Sequence, residues 1–240
     1  MKIRLDRLMV ERGLAESREK AQALILAGEV LADGRKAAKP GQPVAPDAAV
    51  EVLARPRYVS RGGVKLAAAL GHFGIDAADK VCLDIGASTG GFTDALLEAG
   101  AARVHAVDVG AGQLAWSLRT DPRVVTHEGI NARQLKVETI GEEVDLITCD
   151  VSFISVTLIL PAAVPLLRPG GQMVILIKPQ FEVGKGQVGK GGIVRDPELH
   201  RAVCAKVKRA VTEFGFASNI MESPLLGAGG NREFLLHAHH

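Results

Sequence analysis

The sequence predicts an α/β chain: a doubly wound, mostly parallel sheet ending in an antiparallel hairpin, preceded by a small α+β module. Three observations predict it. From Val64 onward, apolar strand-like runs alternate with helical periodicity through five units. Two further apolar runs, 219–223 and 232–237, are separated by a glycine-rich turn too short for a helix, so they pair as a hairpin. Before Val64, two short amphipathic helices and a few short strands fit into fewer than sixty residues. Strands are expected at 80–85, 103–109, 124–127, 144–150 and 172–177, and helices at 64–73, 91–99, 156–167 and 197–214. A ligand of such a sheet sits outside the carboxyl ends of its parallel strands.

Composition bounds the possibilities. The chain has 240 residues, 47% of them hydrophobic, enough for one sizeable core plus a small module. Its net charge of +2 conceals an asymmetry: residues 1–63 carry twelve Lys/Arg against eight Asp/Glu, the remainder seventeen against nineteen. A basic module before a near-neutral one points to an anionic partner, ordinary surface charge being the plainer alternative. Cys82, Cys149 and Cys204 are odd in number and lack metal-type spacing, and Cys82 and Cys149 sit inside apolar strand-like runs, so buried reduced thiols are expected at those two. The first seven residues include Lys2, Arg4, Asp6 and Arg7 and no apolar run follows, unlike a signal peptide. The uncharged stretch 151–167 contains Pro161 and Pro165 and falls short of the ~20 residues a bilayer span needs.

In the first module, Leu5, Leu8, Met9 and Leu14 mark a helix ending near Gly13. Ser17 is a good N-cap for a second helix, and Gly28 a good terminator. Asp33-Gly34 sits between short apolar runs and predicts a tight hairpin; Val50 to Leu53 is a last short strand. Arg4, Arg7, Arg12, Arg18, Lys20, Arg35 and Lys36 are candidate phosphate contacts. A generic helix-turn-helix or a protein-binding module has a similar pattern.

Asp84-Ile-Gly-Ala-Ser-Thr-Gly-Gly-Phe92 follows the first strand of the larger unit. Gly86, Gly90 and Gly91, with Ser88 between, depart from the dinucleotide spacing G-x-G-x-x-G and suit a nucleoside ligand without a pyrophosphate, such as S-adenosylmethionine. Asp84 and Phe92 bound the turn. Asp108 ends the next strand, where a carboxylate can accept both ribose hydroxyls, and Asn131 follows the third, within reach of an adenine. The run from Gly184 to Gly191 resembles a phosphate loop but lacks its Ser/Thr and a following helix, which excludes an NTPase. It is read as a basic flexible loop or as a lid on RNA.

Four short segments carry the chemistry: Ser60-Arg-Gly-Gly-Val-Lys65, Cys149-Asp-Val-Ser-Phe153, Ile177-Lys-Pro-Gln-Phe181 and Gly230-Asn-Arg-Glu-Phe234. Asp150 and Lys178 are expected at the ends of parallel strands, Glu233 at the start of an antiparallel one, and Lys65 at the opening of the first helix. All four then face one sheet edge. Two lysines and two acids around one cofactor suit transfer of a small group to a hydroxyl without a metal, with one lysine as base. Surface salt bridges are the plain alternative for each.

As a set, these segments resemble the TlyA (hemolysin A) family of rRNA 2′-O-methyltransferases, whose catalytic domain is similar to the FtsJ-like RNA ribose methyltransferases. The resemblance extends over essentially the whole chain, including Arg57-Tyr58-Val59, where the family commonly has tryptophan in place of Tyr58. It implies a Rossmann-like class I methyltransferase domain over 64–240, a linker at 58–63 and an S4-like RNA-binding domain over 1–57. It further implies S-adenosylmethionine as cofactor and a cytidine ribose 2′-hydroxyl as acceptor. Lys65, Asp150, Lys178 and Glu233 are its catalytic residues, with Lys178 as base, Asp150 orienting it and Glu233 anchoring the network. The implied partner is ribosomal RNA or a ribosomal subunit, met in the cytoplasm by a monomer or weak dimer, with no membrane and no metal. The chain ends soon after its last strand, as in shorter members associated with the large subunit. The family's older name keeps a cytolysin as one alternative, and a non-catalytic RNA-binding protein is another. Gly62-Gly63 beside Lys65 are expected to act as a hinge coupling RNA docking to the cofactor pocket, or as a passive tether.

Overall fold

The computed structural model describes residues 2–53, 57–184 and 186–240 and divides into two compact units, Met1–Pro56 and Arg57–His240. Arg55, at the start of the expected hinge, lies outside the described residues, as does Lys185.

In the first unit, β1 (Ile3–Arg4) leads into α1 (Leu5–Glu11), and α2 (Arg18–Leu26) follows. The Ser17 side chain caps α2 by accepting from Lys20 N. Gly28, with φ 71°, turns the chain into β2 (Val30–Ala32). Asp33 and Gly34 both have positive φ, as a two-residue hairpin requires, and connect β2 to β3 (Arg35–Lys36). β4 (Pro43–Val44) pairs with β1, and β5 (Val50–Val52) pairs with β2. The β1/β4 pair has no sequence signal, because two-residue strands are too short to show a period. Leu5, Leu8, Met9, Ile25 and Val30 form a core of their own.

The second unit begins with α3 (Arg61–Phe73), which starts three residues before the expected position. Ser60 caps it by accepting from Gly62 N, and Tyr58 is already buried. Arg61, Gly62 and Gly63 are therefore part of α3. Gly63 is required by packing, because a Cβ there would lie 2.2 Å from Tyr58 Cγ.

Next come β6 (Val81–Ile85), α4 (Gly91–Glu98), β7 (Arg103–Asp108), α5 (Trp116–Arg119), β8 (Val124–Glu128), α6 (Val137–Ile140) and β9 (Val144–Cys149). Where one helix was expected over 156–167, the chain makes α7 (Leu160–Ala163) between two 3₁₀ turns. Pro161 and Pro165 withhold N–H groups that a continuous helix needs. β10 (Leu167–Ile177), α8 (Pro179–Glu182), α9 (Pro197–Glu213), β11 (Ala217–Glu222) and β12 (Phe234–His239) complete the unit.

Among the described residues these strands form one seven-stranded sheet, ordered β11-β12-β10-β9-β6-β7-β8. Pairs from β10 through β8 are parallel, whereas β12 is antiparallel to both β10 and β11. Alternate residues of each strand enter opposite cores. Leu83, Ile85, Ile147 and Ile175 meet Val203 and Val207 of α9, whereas Cys82, Leu146, Val174 and Leu235 meet Leu66 of α3 and Leu96 of α4. Burial on both faces explains why the strands read as continuous apolar runs. The chain order reverses between β6 and β9, which opens a crevice beyond their carboxyl ends.

Candidate active site

Two adjoining cavities, of about 280 and 460 Å³, lie at that crevice and share Gly86, Ser88, Asp150 and Ser152. The first is bordered by Lys65, Lys178, Gly91 and Phe92. The second is bordered by Asp108, Asn131 and several apolar side chains, among them Val109 and Ile130.

Strand register brings the charged groups together. Asp150 N donates to Ile85 O at 2.9 Å, which fixes the exit of β9 against that of β6. Gly86, at φ 85°, passes so close that a Cβ would lie 2.4 Å from Asp150 O. One strand over, Lys178 follows β10, and its Nζ lies 2.5 Å from Asp150 Oδ1 and donates to Ser152 Oγ at 2.9 Å. Asp150 Oδ1 is buried, and the Lys178 ammonium is the charge it faces. Lys65, in the second turn of α3 rather than at its opening, pairs with Glu233, which immediately precedes β12. Both partners are buried. Glu233 borders neither cavity; it holds Lys65 from behind. Gly227 makes room for it, because a Cβ there would fall within 1.9 Å of its carboxylate.

Of the glycine-rich turn, Gly86, Ser88, Gly91 and Phe92 border a cavity. Asp84 is fully buried and borders neither cavity. Its carboxylate accepts from Thr93 Oγ1 at 2.7 Å and Thr148 Oγ1 at 3.0 Å, tying α4 and β9 to β6 from beneath the turn. Burial raises its carboxyl to about 6, although the two threonine hydroxyls pull it down. Gly90 also stands away from both cavities, and a Cβ there would strike Leu118 and Leu114. A Cβ on Gly91 would meet Ser60 Oγ and Gly63 N, so this glycine serves the contact between α3 and α4. These glycines make room for neighbouring protein atoms, a requirement that motif spacing does not distinguish from room for a ligand.

Asp108 keeps its expected place at the end of β7. Ser88 N donates to its Oδ2 at 2.8 Å and Gly110 N to its Oδ1 at 2.7 Å, orienting both oxygens with lone pairs to spare. Asn131 borders the second cavity, but its Oδ1 accepts from Arg133 N at 3.1 Å and caps the following turn. Phe153 closes the Cys149–Phe153 segment, yet sequence reasoning gives it no role at the site. It is 92% exposed, holds a strained φ of 65°, and lies against Phe181 with ring centroids 5.1 Å apart. A solvent-facing aromatic with positive φ has no signature in sequence.

The basic residues of the first unit divide in two. Arg4 and Arg18 both reach the buried carboxylate of Asp6, at 2.9 and 3.0 Å, and hold it well below the usual carboxylate range. Arg12 donates to Ala48 O, Arg7 pairs with Glu11, and Lys20 pairs with Glu16. Arg35 and Lys36 are exposed on β3. Just beyond the run from Gly184 to Gly191, Asn231 donates to Gly192 O and accepts from Val194 N, both at 3.0 Å.

Sheet order and site together define a class, the FtsJ-like methyltransferases: that family matches residues 58–240, and an S4 domain matches residues 3–50. The chain is 51% identical to the 16S/23S rRNA (cytidine-2′-O)-methyltransferase TlyA of Mycobacterium tuberculosis, over 97% of this chain and 88% of that one. It is 45% identical to Hemolysin A of Brachyspira hyodysenteriae, over 98% of this chain and 99% of that one. A solved structure described as a candidate hemolysin from Streptococcus thermophilus superposes with a TM-score of 0.76 at 43% identity, covering 99% of this chain and 88% of that one. The chain belongs to the TlyA family of FtsJ-like methyltransferases.

Proposed function

We propose that this chain transfers a methyl group from S-adenosylmethionine to a cytidine ribose 2′-hydroxyl in ribosomal RNA. The observation that carries the reading is the pair of ion pairs, Lys178–Asp150 and Lys65–Glu233, at a cavity on the switch point of a methyltransferase sheet. The residues present suit the cofactor. Asp108, oriented by two backbone N–H groups, would hold the ribose hydroxyls, and Ile130 and Val109 would flank the adenine. When bound, S-adenosylmethionine supplies a methyl group already activated on a sulfonium.

The remaining task is to remove a proton and align the acceptor, which needs no metal. Lys178 would take up the 2′-hydroxyl proton while S-adenosylmethionine, held at Asp108, would supply the methyl group to that oxygen. Asp150 and Ser152 orient Lys178. Lys65, held by Glu233, lines the same cavity and can donate to the ribose oxygens. The products are the 2′-O-methyl ribose, S-adenosylhomocysteine and a proton on Lys178.

A division of labour fits the two units: an S4-like domain over 1–57 that contacts RNA, and a catalytic domain over 64–240. A ribosomal substrate calls for a cytoplasmic protein. The cytolysin reading has less behind it, since no helix among the described residues is long and apolar enough to cross a membrane. The hemolysin name carried by relatives is then a legacy label. Lys178→Ala is expected to abolish methyl transfer to ribosomal RNA while calorimetric binding of S-adenosylmethionine survives. Transfer at the wild-type rate by that variant would overturn the assignment of the base.

A further inference from the structure

Glu182 is the last residue of α8, one helical turn after Lys178, and its carboxylate is buried. One oxygen accepts from Val156 N at 2.6 Å. The other accepts from Ser155 Oγ at 2.6 Å and from Lys206 Nζ of α9 at 2.9 Å. Lys206 also donates to Glu182 O at 3.0 Å and Ser155 Oγ at 3.2 Å. Two chain segments that leave adjacent strands thus run side by side: 150–156 after β9 and 178–182 after β10. They are tied at three points. Lys178 meets Asp150 and Ser152 at the near end, Phe153 lies against Phe181 in the middle, and Glu182 grips Ser155 and Val156 at the far end.

The near tie is the reacting pair, where Lys178 makes an ion pair with Asp150 and a hydrogen bond to Ser152 Oγ. Both contacts are made at the end of a four-carbon stem, which can follow a shift of either segment. What fixes the distance between the two segments is the far tie, where a buried N–H and a hydroxyl are held by one carboxylate.

We propose that Glu182, anchored by Lys206, is a positioning residue for methyl transfer: it sets the separation of the Asp150 and Lys178 segments without touching substrate. The proposal rests on the methyltransferase reading above and names a component of the site outside the Lys65, Asp150, Lys178 and Glu233 set.

The test compares Glu182→Met, similar in length but with no acceptor, with Glu182→Gln, which keeps an oxygen for Val156 N–H. Both are assayed on ribosomal RNA below their melting temperatures. Glu182→Met is expected to lower kcat about a hundredfold, the effect of displacing a reacting group by about 1 Å, with KM for RNA and Kd for S-adenosylmethionine unchanged. Glu182→Gln should recover most of that loss and stay within about fivefold of wild type, the weight of one weakened hydrogen bond. A merely structural carboxylate would lower the melting temperature and leave kcat intact below it, which would overturn the proposal, as would equal loss in both variants. A crystal structure of Glu182→Met supplies a second arm that needs no transfer. The brace predicts that the 150–156 segment moves away from Lys178, and an unmoved segment refutes it. Lack of transfer by the wild-type protein would instead overturn the proposed function, with this arm still deciding the brace.

Discussion

At the scale of single residues, Asp84 shows how a motif position acquires its role from burial. Enclosed between Thr93 and Thr148, its carboxyl titrates near 6 rather than near the ordinary 3.8, chiefly because burial penalises the charged form. Between those values the folded chain binds a proton that the unfolded chain releases, so this residue's contribution falls as pH rises from about 4 to about 6. The loss across that window is about 3 kcal/mol, at about 1.4 kcal/mol for each pH unit between the two values. Denaturant unfolding of the wild type and of Asp84→Asn should show it. Relative to the variant, the wild type is expected to weaken by that amount between pH 4 and pH 6 and then level off. A gap that does not change with pH would mean that Asp84 does not titrate there.

At the scale of elements, the start of α3 is decided by packing between residues close in sequence. Gly62 and Gly63 read alike as a hinge, yet the two positions differ once the helix forms. A Cβ on Gly62 would come no closer than 3.3 Å to Ser60 Oγ and 3.4 Å to Phe92, whereas one on Gly63 would overlap the Tyr58 ring. Gly62→Ala is therefore expected to be near neutral, since alanine favours a helix. Gly63→Ala should cost about 1–3 kcal/mol by overpacking and expel Tyr58. Thermal melting of the two variants separates these outcomes, and equal melting points would return the pair to the hinge reading. The broken helix over 156–167 teaches the same lesson in reverse. Its apolar run was legible, and its prolines were visible, but the 3₁₀ turns around α7 depend on how the run meets the sheet.

At the scale of the whole molecule, the proposed function assigns RNA recognition to the first unit and chemistry to the second. Arg4 and Arg18 stabilise the first unit through Asp6, so their removal confounds folding with binding. Arg35 and Lys36, exposed on β3, give the cleaner test. Replacing both by Ala should weaken RNA binding and lower the salt slope by about one for each phosphate no longer neutralised. Affinity for S-adenosylmethionine, measured by calorimetry, should stay at the wild-type value. Parallel loss of cofactor affinity would contradict separable roles.

The sequence by itself determined the five parallel strands and the closing hairpin of the larger unit, the Ser17 cap, the Asp33-Gly34 turn and the segments carrying Lys65, Asp150, Lys178 and Glu233. Each of these follows from local pattern: hydrophobic period, capping chemistry, positive φ, and charged residues set in short segments at strand ends. Only the tertiary structure decided which charges meet. It put Glu233 behind Lys65, withdrew Asp84 and Gly90 from the cavities, turned Arg4 and Arg18 onto Asp6, and bound Glu182 to Ser155, Val156 and Lys206. Several of these contacts span long stretches of chain: 168 residues separate Lys65 from Glu233, and 64 separate Asp84 from Thr148. Strand register and packing set such distances, and a single sequence carries no local signal for either.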